Sequence, residues 1–230
     1  FRDYDFLALP VTDYEDHLLG IVTVDDIIDV IDDEAASDYS GLAGVNVEEV
    51  DENPVKAASR RLPWLITLLF LGMTTATLIN HYEALVSKAS ILAVFISLIT
   101  GTAGNAGTQS LAVAVRRLAI SDDNEKNFGK LVLGEILTGL VTGFVTGVTI
   151  FIIVGIWKHN FILGFVIGTA MMAAITVATL AGSWIPMIME KLGFDPAVAS
   201  GPFITTLSDL TSVLIYFNIA SLFMERFIGS

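Results

Sequence analysis

The chain is 230 residues long, 53% hydrophobic and formally −13 in charge, with a mean hydropathy of +0.70. Uninterrupted apolar runs of near-membrane length at that composition exclude an ordinary soluble domain and mark an integral membrane protein. Cysteine is absent, which excludes disulfides, thiolate metal sites and thiol catalysis.

The charge is unevenly spread: sixteen of the twenty-five acids fall within residues 1–53, beside one base, Arg2. An acidic head of this kind does not attract nucleic acid or anionic lipid; it repels, is solvated, or collects cations. The first residue is Phe1 and no basic n-region follows, so the expectation is a piece of a longer protein without a signal peptide.

In chain order, residues 4–35 read as strand, turn, strand, helix: FLALPVTD, a polar YEDH turn, LLGIVTV, then DDIIDVIDDEA with Ile27, Ile28 and Ile31 on one helical face. This unit is too small to fold alone. Thr23 followed by Asp26 predicts a helix start near Val24, with an imperfect capping box because Asp stands where Glu or Gln is usual. Asn53 and Pro54 predict a second helix start, running through Arg60 and Arg61 into the membrane.

Five apolar spans follow at about 63–82, 87–118, 131–157, 161–189 and 202–224, each able to cross a core of about 30 Å at about 1.5 Å per residue. With the N-terminal side cytoplasmic and the C-terminus outside, eight basic residues lie at inner ends and loops and three, Lys88, Lys158 and Arg226, at outer ones, which supports this orientation. Trp64, His81, Tyr82 and Trp157 sit where interfacial anchors are expected. The absence of a convincing internal repeat weakens an inverted-repeat transporter reading.

Asp209 lies about seven residues into the fifth span, and helical spacing places Gly201, Thr205, Ser212 and Tyr216 on or near its face. An intramembrane acid faces a cavity or an ion path by default, and no basic residue within a span is an obvious salt-bridge partner. GTAGNAGTQS, residues 101–110, is expected to interrupt the second span. Close packing explains Gly101, Gly104 and Gly107 but leaves Asn105 and Gln109 unexplained; the alternative is that backbone and amide oxygens there serve a cation or its water shell. Both readings stay open. Gly139, Gly143 and Gly147, and Gly164 with Gly168, read as helix-packing faces. Glu135 reads as a rim residue near Lys130 rather than a second pore acid. The three histidines are scattered and no enzymatic motif occurs, so the chain is expected not to be an enzyme. The acidic head is either a solvated face or a set of carboxylates whose repulsion divalent cations relieve.

Three stretches together resemble one family. LPVTDYEDHLLGIVTVDDIIDVI resembles the end of a cystathionine-beta-synthase-type (CBS) domain, while SRRLPWL, GTAGNAGTQSLAVAVRRLA and DPAVASGPFITTLSDLTSVLIYF resemble the MgtE family of magnesium channels. The resemblance implies an all-α polytopic membrane protein with five transmembrane helices per subunit, preceded by a small α/β CBS-domain fragment and a connecting helix, divided at 1–38, 39–62 and 63–228. It implies a homodimer in the cell membrane importing Mg2+, with Mn2+, Co2+ and Ca2+ as other candidate ions and a nucleotide at the remaining CBS modules. Asp209 would hold hydrated magnesium from each subunit, with Gly201 and Thr205 lining the same filter, and Asp26, Asp29 and Glu34 would sense cytoplasmic magnesium to gate it; Asn105, from the reading of residues 101–110 above, is a further candidate metal ligand. The alternative is a secondary divalent-cation transporter coupled to H+ or Na+, with Asp209 and Glu135 carrying protons; a CBS nucleotide sensor on a membrane anchor is a third reading.

Overall fold

The computed structural model describes residues 1, 4–45, 53–120, 128–194 and 199–223. Its first part is a hairpin of β1 (Ala8–Thr12) and β2 (Leu18–Thr23), antiparallel, with Ala8 opposite Thr23 and an irregularity between Val11 and Thr12. Asp13 builds the turn, its carboxylate accepting from the backbone N–H groups of Glu15 and His17 at 2.8 and 2.9 Å. Helix α1 (Val24–Ala43) follows directly. Its capping box is complete despite the shorter acid: Thr23 accepts from the Asp26 amide, and the Asp26 carboxylate accepts from the Thr23 amide at 2.6 Å and from its hydroxyl at 2.7 Å. The helix ends at Gly44, whose φ of 67° suits glycine and where a Cβ would strike the Trp64 indole. Of the expected helical face, Ile28 and Ile31 are exposed and Ile27 is half-buried, so the described residues cover it only in part.

Helix α2 (Pro54–His81) starts where Asn53 and Pro54 predict, with Asn53 Oδ1 accepting from Val55 N at 3.0 Å. It runs unbroken from the connecting segment into the first span, with Pro63 inside it. A short α3 (Glu83–Lys88), which hydropathy does not reveal, turns the chain into α4 (Ile91–Ile120), α5 (Phe128–Trp157), α6 (Phe161–Lys191) and α7 (Gly201–Leu222). Five of these helices, α2 and α4 to α7, are long and apolar enough to cross a membrane.

Helix α6 is the centre of the bundle. Its Val166, Ile167, Ala170, Ala174 and Ala178 have essentially no exposure, and it packs against α4, α5 and α7. Small residues set those distances: a Cβ on Gly143 would fall 2.6 Å from the Met172 carbonyl oxygen, and one on Gly147 2.6 Å from that of Gly168. The glycine spacing in α5 is therefore a packing face, as expected. Gly182 of α6 likewise lies against the Gly107 carbonyl of α4. At the other edge, α2 packs against α7 and leaves Leu65, Leu69, Phe70 and Met73 exposed.

Candidate functional site

The first turn of α7 is fixed by Ser200, which accepts from Phe203 N, and by Pro202 at its start. Ile204, Ser208, Ser212, Val213, Tyr216 and Phe217 turn inward. Thr205 sits half-buried and spends its hydroxyl proton on the Gly201 carbonyl at 3.0 Å, so its oxygen offers only lone pairs outward. One turn later comes Asp209, also half-buried, whose carboxylate has no hydrogen bond or ion pair from any described residue. The polar stripe expected around it is shorter than helical spacing suggests. Ser212 and Tyr216 are fully buried, and the Tyr216 hydroxyl donates to the Leu92 carbonyl at 3.0 Å, tying α7 to α4 inside the core. Gly201, Thr205 and Asp209 are what remains half-exposed of that stripe.

Opposite this face runs α4, and GTAGNAGTQS does not interrupt it: residues 101–110 are continuous helix. Gly104 and Gly107 bring α7 close, since added Cβ atoms would fall 3.1 Å from Thr205 Cγ2 and 2.9 Å from Ile204 Cγ2, respectively. Packing of this kind replaces the stabilisation that glycine withholds from a helix. Gly201 in turn lies 3.8 Å from Thr108 Cγ2 by the same measure. Pairing of 104 with 205 and of 108 with 201 makes α4 and α7 antiparallel, and one further turn puts Gly101 level with Asp209. Gly101 itself faces open space rather than a helix. Asn105 and Gln109 are exposed, and their side-chain amides have no hydrogen-bond partner among the described residues. Asp209, Thr205, Gly201 and Asn105 thus share the α4–α7 seam, where the Asp209 carboxylate and the Asn105 side-chain amide have no partner among the described residues.

The sequence reading missed the other intramembrane acid's environment. Glu135 is 7% exposed, not a snorkelling rim residue. Its carboxylate accepts from Ser110 Oγ at 2.9 Å and from Arg117 Nη1 at 3.1 Å. Beside it lies a cavity of about 300 Å³, lined by Gln109, Ser110, Arg117, Thr138, Thr142 and Thr179 among others. The signal in the sequence is Arg117, near the C-terminal end of α4, but nothing local pairs it with an acid on the next helix.

The acids expected to sense magnesium lie elsewhere. Asp26, Asp29 and Glu34 are exposed on the first half of α1. Hydrogen bonds from the Thr23 backbone and hydroxyl hold the Asp26 carboxyl below its usual 3.8. The far end of α1 does reach the seam, because Leu42 O would lie 3.2 Å from a Cβ on Gly201. Sixteen residues separate Leu42 from Asp26, about 24 Å along a helix axis, so the two sets of acids are joined by a rod rather than by contact. Among the described residues no group of three or more His, Asp or Glu side chains is placed to hold a metal ion by itself.

Residues 96–219, which hold α5, α6 and nearly all of α4 and α7, match the family model MgtE, described as divalent cation transporter. A protein of Enterococcus faecalis named magnesium transporter MgtE is 82% identical over 99% of this chain and half of its own length. Proteins of the same name from Bacillus subtilis and Thermus thermophilus are 45% and 36% identical over 96% and 97% of this chain, and over 49% and 50% of their own lengths. The chain therefore spans about half the length of these relatives.

Proposed function

The chain belongs to the MgtE family and is a multi-pass membrane protein, and from this we propose that it forms the pore-bearing part of a magnesium-selective channel, not an enzyme. Two copies pair about a twofold axis so that their α4–α7 seams face each other across a hydrated passage, with the N-terminal side cytoplasmic. The observation that carries this reading is Asp209: a half-buried carboxylate in a membrane helix, without a partner among the described residues, on a seam with α4, whose Asn105 is exposed.

Magnesium gives up its water reluctantly and insists on octahedral geometry. Two facing carboxylates attract it through that water shell, and their mutual repulsion needs about two positive charges for neutralisation, which favours a divalent ion over a monovalent one. Thr205, Gly201 and Asn105 contribute neutral oxygens along the same seam. Asp26, Asp29 and Glu34 act as the cytoplasmic sensor: magnesium held between α1 and neighbouring acidic surfaces favours closure, and α1 transmits the state to Gly201 through Leu42. The coupled-carrier alternative needs Glu135 as a second proton carrier, and its engagement by Arg117 and Ser110 speaks against that role.

The test is magnesium flux into vesicles holding the full-length protein. The parent should conduct in proportion to voltage and ignore pH and sodium gradients, whereas Asp209→Ala should lose the flux while remaining folded. An Asp209→Ala protein that conducts like its parent would remove the pore assignment.

A further inference from the structure

Helices α4 and α5 make little direct backbone contact, although both pack tightly on α6. The cavity of about 300 Å³ lies between them, and Glu135 reaches across it from α5 to α4. Glu135 is the one charged side chain that is fully buried among the described residues. A carboxylate at that depth is costly unless both oxygens are engaged, and here each oxygen has a donor from α4.

The two donors, Ser110 and Arg117, are seven residues apart, about 10 Å of helix rise. Side chains on a helix lean toward its N-terminus, so the long arginine reaches back to the level of the short serine. One carboxylate therefore grips α4 at two points two turns apart, fixing its rotation as well as its height. Ser110 is one turn from Gly107, where Ile204 and Ser208 of α7 and the Ala178 carbonyl of α6 crowd α4. Any rotation of α4 is felt at that crowded point, and α4 carries Asn105 and Gln109 on its outward side.

We propose that Glu135, clamped by Ser110 and Arg117 across the α4–α5 cavity, is a positioning residue that sets the orientation of α4 at the permeation seam and thereby the discrimination among divalent ions. The clamp does not touch the ion. It holds the helix whose polar face meets it, and because α6 binds both helices independently, loss of the clamp lets α4 turn without dissolving the bundle. This rests on the pore reading given above, so the test includes a structural readout independent of transport.

The experiment uses the full-length protein with Glu135→Gln, Arg117→Gln, Ser110→Ala and the exchanged pair Arg117→Glu with Glu135→Arg. Magnesium and calcium fluxes are measured in vesicles. Spin-label distances are measured between Ala112→Cys on α4 and Leu137→Cys on α5; these 230 residues hold no cysteine, and any elsewhere in the full-length protein is first replaced by serine. Glu135→Gln is expected to change the magnesium-to-calcium flux ratio at least fivefold and broaden the α4–α5 distance distribution, with thermal stability near that of the parent. The exchanged pair should recover most of the ratio and the narrow distribution. Should Glu135→Gln fail to fold, Ser110→Ala, which buries no new charge, must show the same change in smaller measure. Unchanged distances and a flux ratio within twofold of the parent would overturn the proposal, as would an exchanged pair no better than its single variants. A parent that passes no magnesium would instead sink the pore reading, and the distances would then decide the clamp alone.

Discussion

Gly143→Ala is the substitution whose cost the helix seams define most closely. A Cβ on Gly143 would lie 2.6 Å from the Met172 carbonyl oxygen and 3.2 Å from Met172 Cα, both backbone atoms of α6. Neither can swing aside as a side-chain tip would, so α5 and α6 must part by several tenths of an ångström along a seam that also holds Gly139 and Gly147. Overpacking of this sort costs about 1–3 kcal/mol. Alanine returns about 1 kcal/mol through helix propensity, which obscures the packing cost in a single variant. Gly134→Ala supplies the reference: it lies on the same helix, a Cβ there meets nothing within 4 Å, and the propensity gain is the same. The difference between the two variants isolates the packing cost, and about 1–3 kcal/mol is expected, with Gly143→Ala the less stable. Unfolding titrations in mixed micelles measure it. Equal stabilities would refute the claim that this seam sets the α5–α6 distance.

Tyr216→Phe removes a buried hydroxyl that donates to Leu92 O at 3.0 Å, and is expected to cost about 1 kcal/mol in the same titration with magnesium flux preserved. A loss of flux with undiminished stability would show that Tyr216 serves the passage and not the core. Asp26 predicts a pH dependence. Its folded value lies below 3.8, so the stability it lends to the start of α1 is complete above that value and is lost as pH falls through the lower folded one. The protection factor of the Thr23 amide, which donates to the Asp26 carboxylate at 2.6 Å, should fall only below about pH 4, and a loss of protection confined to neutral pH would contradict the capping role.

The elements were legible where a local signal names a boundary. Thr23 with Asp26 and Asn53 with Pro54 mark helix starts that the structure reproduces, and the five spans follow from hydropathy because hydrocarbon demands continuous apolar helix. The hidden features depend on partners distant in sequence. Glycines and amides at 101–110 look like a break when read alone, but α7 and α6 supply the contacts that let the helix run through. Asp209 stands out because its surroundings in the sequence are apolar, whereas nothing local says that Ser212 and Tyr216, one or two turns on, turn into the core. Glu135 was misplaced at the rim for the same reason: its neighbours in sequence include Lys130, but its donors sit on the preceding helix. Short α3 escaped because a single turn and a half leaves no periodic trace.

The most direct measurement of the central claim is the position of manganese, read by its anomalous scattering in crystals of the full-length protein grown with that ion in place of magnesium. The account predicts one ion on the twofold axis between the Asp209 carboxylates of two protomers, held through water rather than by direct bonds. Two Asp209 side chains turned to lipid, with the metal elsewhere or absent from the α4–α7 seam, would contradict it.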